Sequence, residues 1–445
     1  MTDVETVGIR QIVATGERSG DAPATWGQRY MWDIVQALAP ADEHLNVPIV
    51  VPVPSGHTLD EVLAAIEVMI AAHESFRTRY AVEDGRLRQW FAGSEPIPVT
   101  LYRSTEVDLR AAASALAKRI AGQRFALDTD LPTRAAVLLH NDVPAAVVLV
   151  ISHIVADGWA ISMIAPTLRR ILREGRGGTG PAPVQLVEQA AYEQSEAGAR
   201  QNQRALAYWR RMLEQFPAVY PGDGERPAAA PRYWQGALRT PRGFTAARQL
   251  AEAAQVSVPT VLLTAFCQVL GTTTGLSQVP LIIRASNRMR PETTDVIGHF
   301  SEAVPILIDV TGKNFTQVLR HAHVRALSAY RYGHHYPPDV IDLQRAIAAE
   351  RGTDVAMRVA LNNPYVAPRG AFEVAPEHDP AGRQHSEFVW MDKRETEAIT
   401  AYANVWPEAH MFSIFADTTF LDPAAIENSH WQLEKVLVQA AAAQR

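Results

Sequence analysis

The run Val147-Val148-Leu149-Val150-Ile151, apolar, mostly β-branched and free of glycine and proline, restricts the possible folds of this chain more than any other stretch. Such a run reads as a buried strand, in a sheet covered on both faces. It leads into Ser152-His153-Ile154-Val155-Ala156-Asp157-Gly158, and a helical pattern then begins at Trp159 and continues through Ile161, Ile164, Leu168, Ile171 and Leu172. One imidazole therefore stands at the end of a rigid element, facing a loop, where a neutral ring can accept a proton from an incoming nucleophile. Two plainer readings compete. His153 can be a satisfied histidine at a sheet edge, and Asp157-Gly158 can be only a turn. A metal pair fits less well, because His-x-x-x-Asp aligns two ligands only on a helix, the residues before His153 read as strand, and no third ligand is visible nearby.

The rest of the chain alternates strands and helices. Val7 to Ala14 reads as a strand, and Thr25 with Gln28 forms a capping box for a helix through Met31, Trp32 and Ile34. Asn46 to Val53 is a second strand. Thr58 with Glu61 opens a helix whose Leu59, Val62, Leu63, Ile66, Met69 and Ile70 make one stripe. Glu83-Asp84-Gly85 and Asn141-Asp142 read as hairpin turns. The first part of the chain thus reads as α/β with at least two helices on a sheet. At 445 residues the chain is too long for one comfortable core. Glu174 to Pro183 contains four Gly and two Pro in ten residues, which no packed element tolerates, so a boundary is expected there. Beyond it, helices are expected over Arg204 to Phe216, Phe244 to Ala254, Val258 to Leu270 and Ala424 to Ala443, and a strand over Pro280 to Ser286.

A formal charge of −6 argues against nucleic acid as a default partner. The N-terminus lacks the regions of a signal peptide, and no run approaches the ~18 apolar residues of a membrane span, so no membrane role is expected. The single cysteine, Cys267, fits a reducing cytoplasm.

Ser152 to Gly158 resembles the H-H-x-x-x-D-G signature of the condensation domains of nonribosomal peptide synthetases, in the CoA-dependent acyltransferase superfamily. Ser152 stands where the first histidine is usual. Further stretches resemble the family in the same order. These are Ala24 to Trp32; His73-Glu74-Ser75-Phe76-Arg77-Thr78-Arg79-Tyr80, similar to R-H-E-x-L-R-T-x-F; Phe125 to Ala135; Ser286-Asn287-Arg288 with Ile297 to Ile306, similar to G-x-F-x-N-x-x-P-L; Arg358 to Pro364; and Phe415 to Asp422. The family Asn of the fourth stretch falls on Ser301 or Glu302.

The resemblance implies an α/β protein of the α+β type, with two chloramphenicol-acetyltransferase-like lobes in a V-shaped pseudo-dimer around a central tunnel. The lobes are expected at 1–173 and 184–445, joined by a linker at 174–183. His153 would be the catalytic group, and the Gly158 amide would point toward the developing oxyanion. Asp157 would be structural and paired with Arg288 across the two lobes, and Ser152 would pack and hydrogen-bond. Trp159, Asn362 and Ser301 would contact substrate, while Glu74 and Arg77 would hold the first lobe together. The implied activity is that of a free-standing condensation enzyme. It would join an acyl or aminoacyl thioester, carried on the phosphopantetheine arm of an acyl or peptidyl carrier protein, to a small-molecule amine or alcohol. No permanently bound cofactor or metal is expected, and the protein would be a monomer. Two alternatives are an acyltransferase using acyl-CoA directly and a catalytically silent protein that recruits a partner. Arg204, Arg210 and Arg211, or Arg169, Arg170 and Arg173, could meet an acidic carrier protein or form solvated helix faces. His334-His335 read as a loop before a helix.

Overall fold

In the computed structural model, the structure describes residues 4–175, 184–220, 224, 226–362, 385–397, 399–406 and 409–444. The chain divides into two compact units. The first contains the residues up to Ala199 together with Arg288–Phe300, and the second contains most of the remainder.

In the first unit, strands β1 (Val4–Thr15), β3 (Asn46–Pro52), β6 (Ser94–Ser104), β7 (Thr133–His140) and β8 (Val143–Ser152) form a five-stranded sheet in the order β1-β6-β7-β8-β3. Only the β6–β7 pair is parallel. Strand β8 is buried without a break from Ala146 to Ser152. Successive side chains point to opposite faces, so both faces of the strand are covered, as the apolar run requires. Helices α2 (Leu59–Ala72), α3 (Leu109–Ala121) and α4 (Gly158–Glu174) supply the cover. Ile66, Met69, Leu116, Ile164 and Leu168 join Val147 to Ile151 in one core. A smaller sheet of β2 (Gly20–Pro23), β5 (Arg86–Phe91) and β4 (Thr78–Glu83) lies beside helix α1 (Trp26–Leu38) in sequence. Both capping boxes are present: Thr25 accepts from the Gln28 amide and Thr58 from the Glu61 amide, each with its reciprocal bond.

In the second unit, seven strands among the described residues form one sheet. They are β9 (Tyr233–Arg239), β10 (Gln278–Ala285), β11 (Glu302–Asp309), β12 (Val359–Asn362), β13 (Glu387–Arg394), β14 (Ala401–Trp406) and β15 (Met411–Asp417), in the order β11-β10-β12-β14-β15-β9-β13. Helices α7 (Pro241–Ala254), α8 (Val258–Thr274), α9 (Phe315–Arg331) and α11 (Pro423–Ala442) share its core, which includes Leu250, Leu263, Ile283, Ile306, Leu319 and Leu433. Cys267 is buried in α8, where desolvation pushes its thiol up. Helix α10 (Pro337–Arg351) and most of α6 (Glu196–Leu213), whose Trp209 and Leu213 join that core, also belong to this unit, and α5 (Leu186–Glu193) precedes α6 in the sequence. No single helix among the described residues is long and apolar enough to cross a membrane.

The contacts do not divide the chain at the Gly/Pro-rich stretch, of which 176–183 lies outside the described residues. Helix α5 groups with the first unit instead. Glu188 pairs with Arg18, Glu193 accepts from the Trp26 amide at 2.8 Å, and Gln185 accepts from the Glu74 amide at 3.1 Å. Burial and hydrogen bonds, and not composition, decide which unit an element joins.

Candidate active site

Strand β8 ends at Ser152, and the chain turns through His153 with Val155 N–H donating to Ser152 O at 3.0 Å. The ring of His153 is partly exposed, while Ile154, Val155, Ala156 and Asp157 behind it are buried. His153 Nδ1 lies 2.8 Å from Ala156 O. A carbonyl oxygen only accepts, so Nδ1 carries the hydrogen, and in the neutral ring the lone pair is on Nε2. The loop therefore selects the tautomer, and it does so within four residues of chain.

Asp157 is the N-cap of α4, accepting from the Ala160 amide at 2.9 Å. Its other oxygen accepts from the Phe300 amide at 3.0 Å, and its own amide donates to Gly298 O at 3.2 Å. Arg288 Nη2 reaches Asp157 Oδ1 at 3.1 Å and Gly298 O at 3.0 Å, and Nη1 reaches Thr293 O and Val296 O at 2.6 and 2.9 Å. The guanidinium lies 4.4 Å from the centre of the Phe300 ring. Both side chains are almost wholly buried, at 2% and 1% exposure. Burial alone would raise the Asp157 carboxyl, but Arg288, His299 and the two amides outweigh it and hold the acid below its ordinary value. The expected Asp157–Arg288 pair thus forms. It does not bridge two lobes, because Arg288–Phe300 groups with the first unit. The resemblance pointed to the Arg288 pair, but the bonds from the Phe300 amide and to Gly298 O were not legible, since that segment lies about 130 residues from the loop that it packs against.

The other expected residues fall in two places. Ser152 is buried, and its amide donates to Pro132 O at 2.9 Å. Gly158 is the first residue of α4 and is partly exposed, so its N–H belongs to the first-turn amides that no helical carbonyl satisfies. A Cβ at Gly158 would meet nothing within 4 Å, so packing does not explain the glycine. Trp159 Nε1 donates to Thr294 O at 2.9 Å, tying the start of α4 to the Arg288–Phe300 segment. Ser301 and Asn362 belong to the second unit, Ser301 just before β11 and Asn362 at the exposed end of β12. Asn363 and Pro364 lie outside the described residues. Glu74 pairs with Arg18 at 2.7 Å, and buried Arg77 donates to Ala92 O.

Two features went unassigned in the sequence. Glu302 is fully buried at the start of β11, where its carboxylate accepts from His334 Nδ1 at 2.6 Å, the His335 amide at 3.1 Å and Asn287 Nδ2 at 3.1 Å. His334-His335 thus solvate a buried acid. Desolvation lowers His335, with Glu302 opposing it. The other feature is His299, 2% exposed, whose Nδ1 lies 2.9 Å from His153 O. The two rings meet edge to face, with centroids 5.3 Å apart. Of the candidate docking arginines, Arg210 pairs with Glu350 at 3.1 Å, and Arg170 and Arg173 are exposed.

The family model described as Condensation domain matches residues 18–362, well over half of the chain. The phosphinothricin tripeptide synthetase PhsC of Streptomyces viridochromogenes is 27% identical over 327 residues, covering 70% of this chain and 30% of the relative. The chondramide synthase cmdD of Chondromyces crocatus is 27% identical over 319 residues, covering 69% of this chain and 8% of the relative. The chain thus spans a small part of these relatives. Among solved structures, one on condensation domain-mediated chain release from the enacyloxin polyketide synthase superposes with a TM-score of 0.72, at 20% identity, over 97% of this chain and 83% of that one. The first condensation domain of the CDA synthetase gives 0.71, at 18% identity, over 95% and 96%. The mixed α/β fold is theirs, and condensation domains are acyl-transferring enzymes. Matched by that family model over residues 18–362 and by those structures in architecture, the chain belongs to the condensation domain family.

Proposed function

We propose that this protein joins a carrier-bound acyl or aminoacyl thioester to an amine or alcohol, with His153 Nε2 receiving the proton of the attacking group. The observation that carries this reading is the bond from His153 Nδ1 to Ala156 O, which leaves the basic nitrogen on a partly exposed ring. The acceptor's nitrogen or oxygen forms a bond to the thioester carbonyl carbon. The carbon–sulfur bond breaks, and the proton held on His153 passes to the departing thiolate. A thioester is already activated, so what the protein supplies is positioning and proton management. The Gly158 N–H, at the positive end of α4, is the donor assigned to the oxyanion. The phosphopantetheine arm belongs to the donor substrate, and Trp159, Ser301 and Asn362 are assigned as substrate contacts.

The test is reconstitution with one acyl group supplied on a carrier protein and on CoA. Product is expected from the carrier-bound donor, and His153→Ala should lower its rate about 10²-fold or more. Equal turnover of the CoA ester would replace this reading with a CoA-dependent acyltransferase. Unchanged product formation by the alanine variant would replace it with a recruiting role.

A further inference from the structure

We infer that His299 is a positioning residue for His153, a role that rests on the reading of His153 as the proton acceptor. Three observations converge on it. First, His299 Nδ1 lies 2.9 Å from the backbone carbonyl of His153 itself. Because that oxygen can only accept, His299 Nδ1 carries the hydrogen, and the bond restrains the peptide at the end of β8 from which the catalytic ring hangs. Second, its ring stands edge to face against the His153 ring, at 5.3 Å and 67°. Ser152, the residue before His153, has no ring to offer there.

Third, His299 is held from both sides. Gly298 O accepts from Arg288 and from the Asp157 amide, and Phe300 N–H donates to Asp157 Oδ2. The His299 carbonyl presses on Gly27 of α1 so closely that a Cβ at that glycine would collide with it. Asp157, whose carboxyl His299 helps to hold down, is itself paired with Arg288. The Asp157–Arg288 pair therefore does more than cap α4. Through Gly298 and Phe300 it sets the segment that carries His299, and His299 bonds the backbone of His153 and packs against its ring. A ring held this way keeps Nε2 aimed in one direction, and loss of such aim costs rate rather than binding.

Three variants separate the contributions. His299→Asn keeps a donor near the Nδ1 position without the ring, His299→Phe keeps the ring edge without the donor, and His299→Ala removes both. Each is measured for kcat and KM with the carrier-bound donor. The ¹⁵N shifts of His153 are recorded in histidine-labelled protein, and thermal midpoints confirm that each variant is folded. The alanine variant is expected to lose about tenfold or more in kcat with KM nearly unchanged. It should also displace the His153 ¹⁵N signals, and the asparagine variant should recover most of the rate. Unchanged His153 signals in the folded alanine variant would overturn the proposal, as would a rate loss that only follows the fraction unfolded. If His153→Ala were fully active while His299→Ala still displaced the His153 signals, the reading of His153 as base would fail and the positioning contact would stand.

Discussion

At the scale of single residues, two positions separate catalysis from stability. Gly158 has open space where a Cβ would go, so Gly158→Ala is expected to leave the thermal midpoint unchanged or slightly raised. If the space holds the reacting carbonyl, the same methyl group should lower kcat about tenfold or more, measured with the carrier-bound donor. Equal activity of the two proteins would leave the glycine as a turn. Asp157 behaves in the opposite way. Asp157→Ala strips the buried Arg288 of its counter-charge and leaves the Phe300 amide without its acceptor. A loss of about 3–5 kcal/mol is expected in denaturant unfolding, with activity lost alongside the fold. A small loss there would mean that water reaches the guanidinium.

At the scale of elements, the loop is assembled by three pieces from separate parts of the chain: the β8–α4 turn, the Arg288–Phe300 segment and the start of α1. Gly27 is where α1 touches that segment, and its backbone cannot move away without disturbing the capping box of Thr25 and Gln28. Gly27→Ala should therefore cost about 1–3 kcal/mol by chemical denaturation, and should lower activity more than stability alone accounts for. Thr58→Ala, at the capping box of α2, is the contrasting case. It should cost about 1 kcal/mol with kcat unchanged in the folded protein. These helix starts were legible in the sequence because capping is local, spanning four residues. The Gly27 contact was not, because its partner lies more than 270 residues away.

At the scale of the whole molecule, each unit carries a buried histidine that resists protonation. His73, in the first unit, and His430, in the second, are both pushed down to about 4, chiefly by desolvation. His430 also uses Nε2 to accept from the Ile414 amide at 3.1 Å, a bond that a proton would abolish. The unfolded chain takes up protons near the ordinary value of about 6.5 while the folded chain does not, so stability falls as the pH drops below that value. The loss from these two groups levels off near pH 4. Between pH 7 and 5 it should reach about 2 kcal/mol for each histidine, read from denaturant midpoints at the two pH values. A flat profile over that interval would show that water reaches both rings.

The sequence by itself determined the local features. The apolar run required a doubly covered strand, the Thr25 and Thr58 boxes set helix starts, and the order of the motifs indicated the family, because each signal is carried by neighbours in the chain. The tertiary structure alone decided what surrounds His153. It placed Arg288 and Gly298 in the first unit, brought the His299 ring against the His153 ring, gave Glu302 two histidines as solvation, and joined α5 to the elements before the glycine-rich stretch. Those contacts join residues up to about 170 positions apart. Nothing in the local propensity of either partner encodes them, because they exist only once burial has made an unsatisfied charge or ring too costly to leave alone.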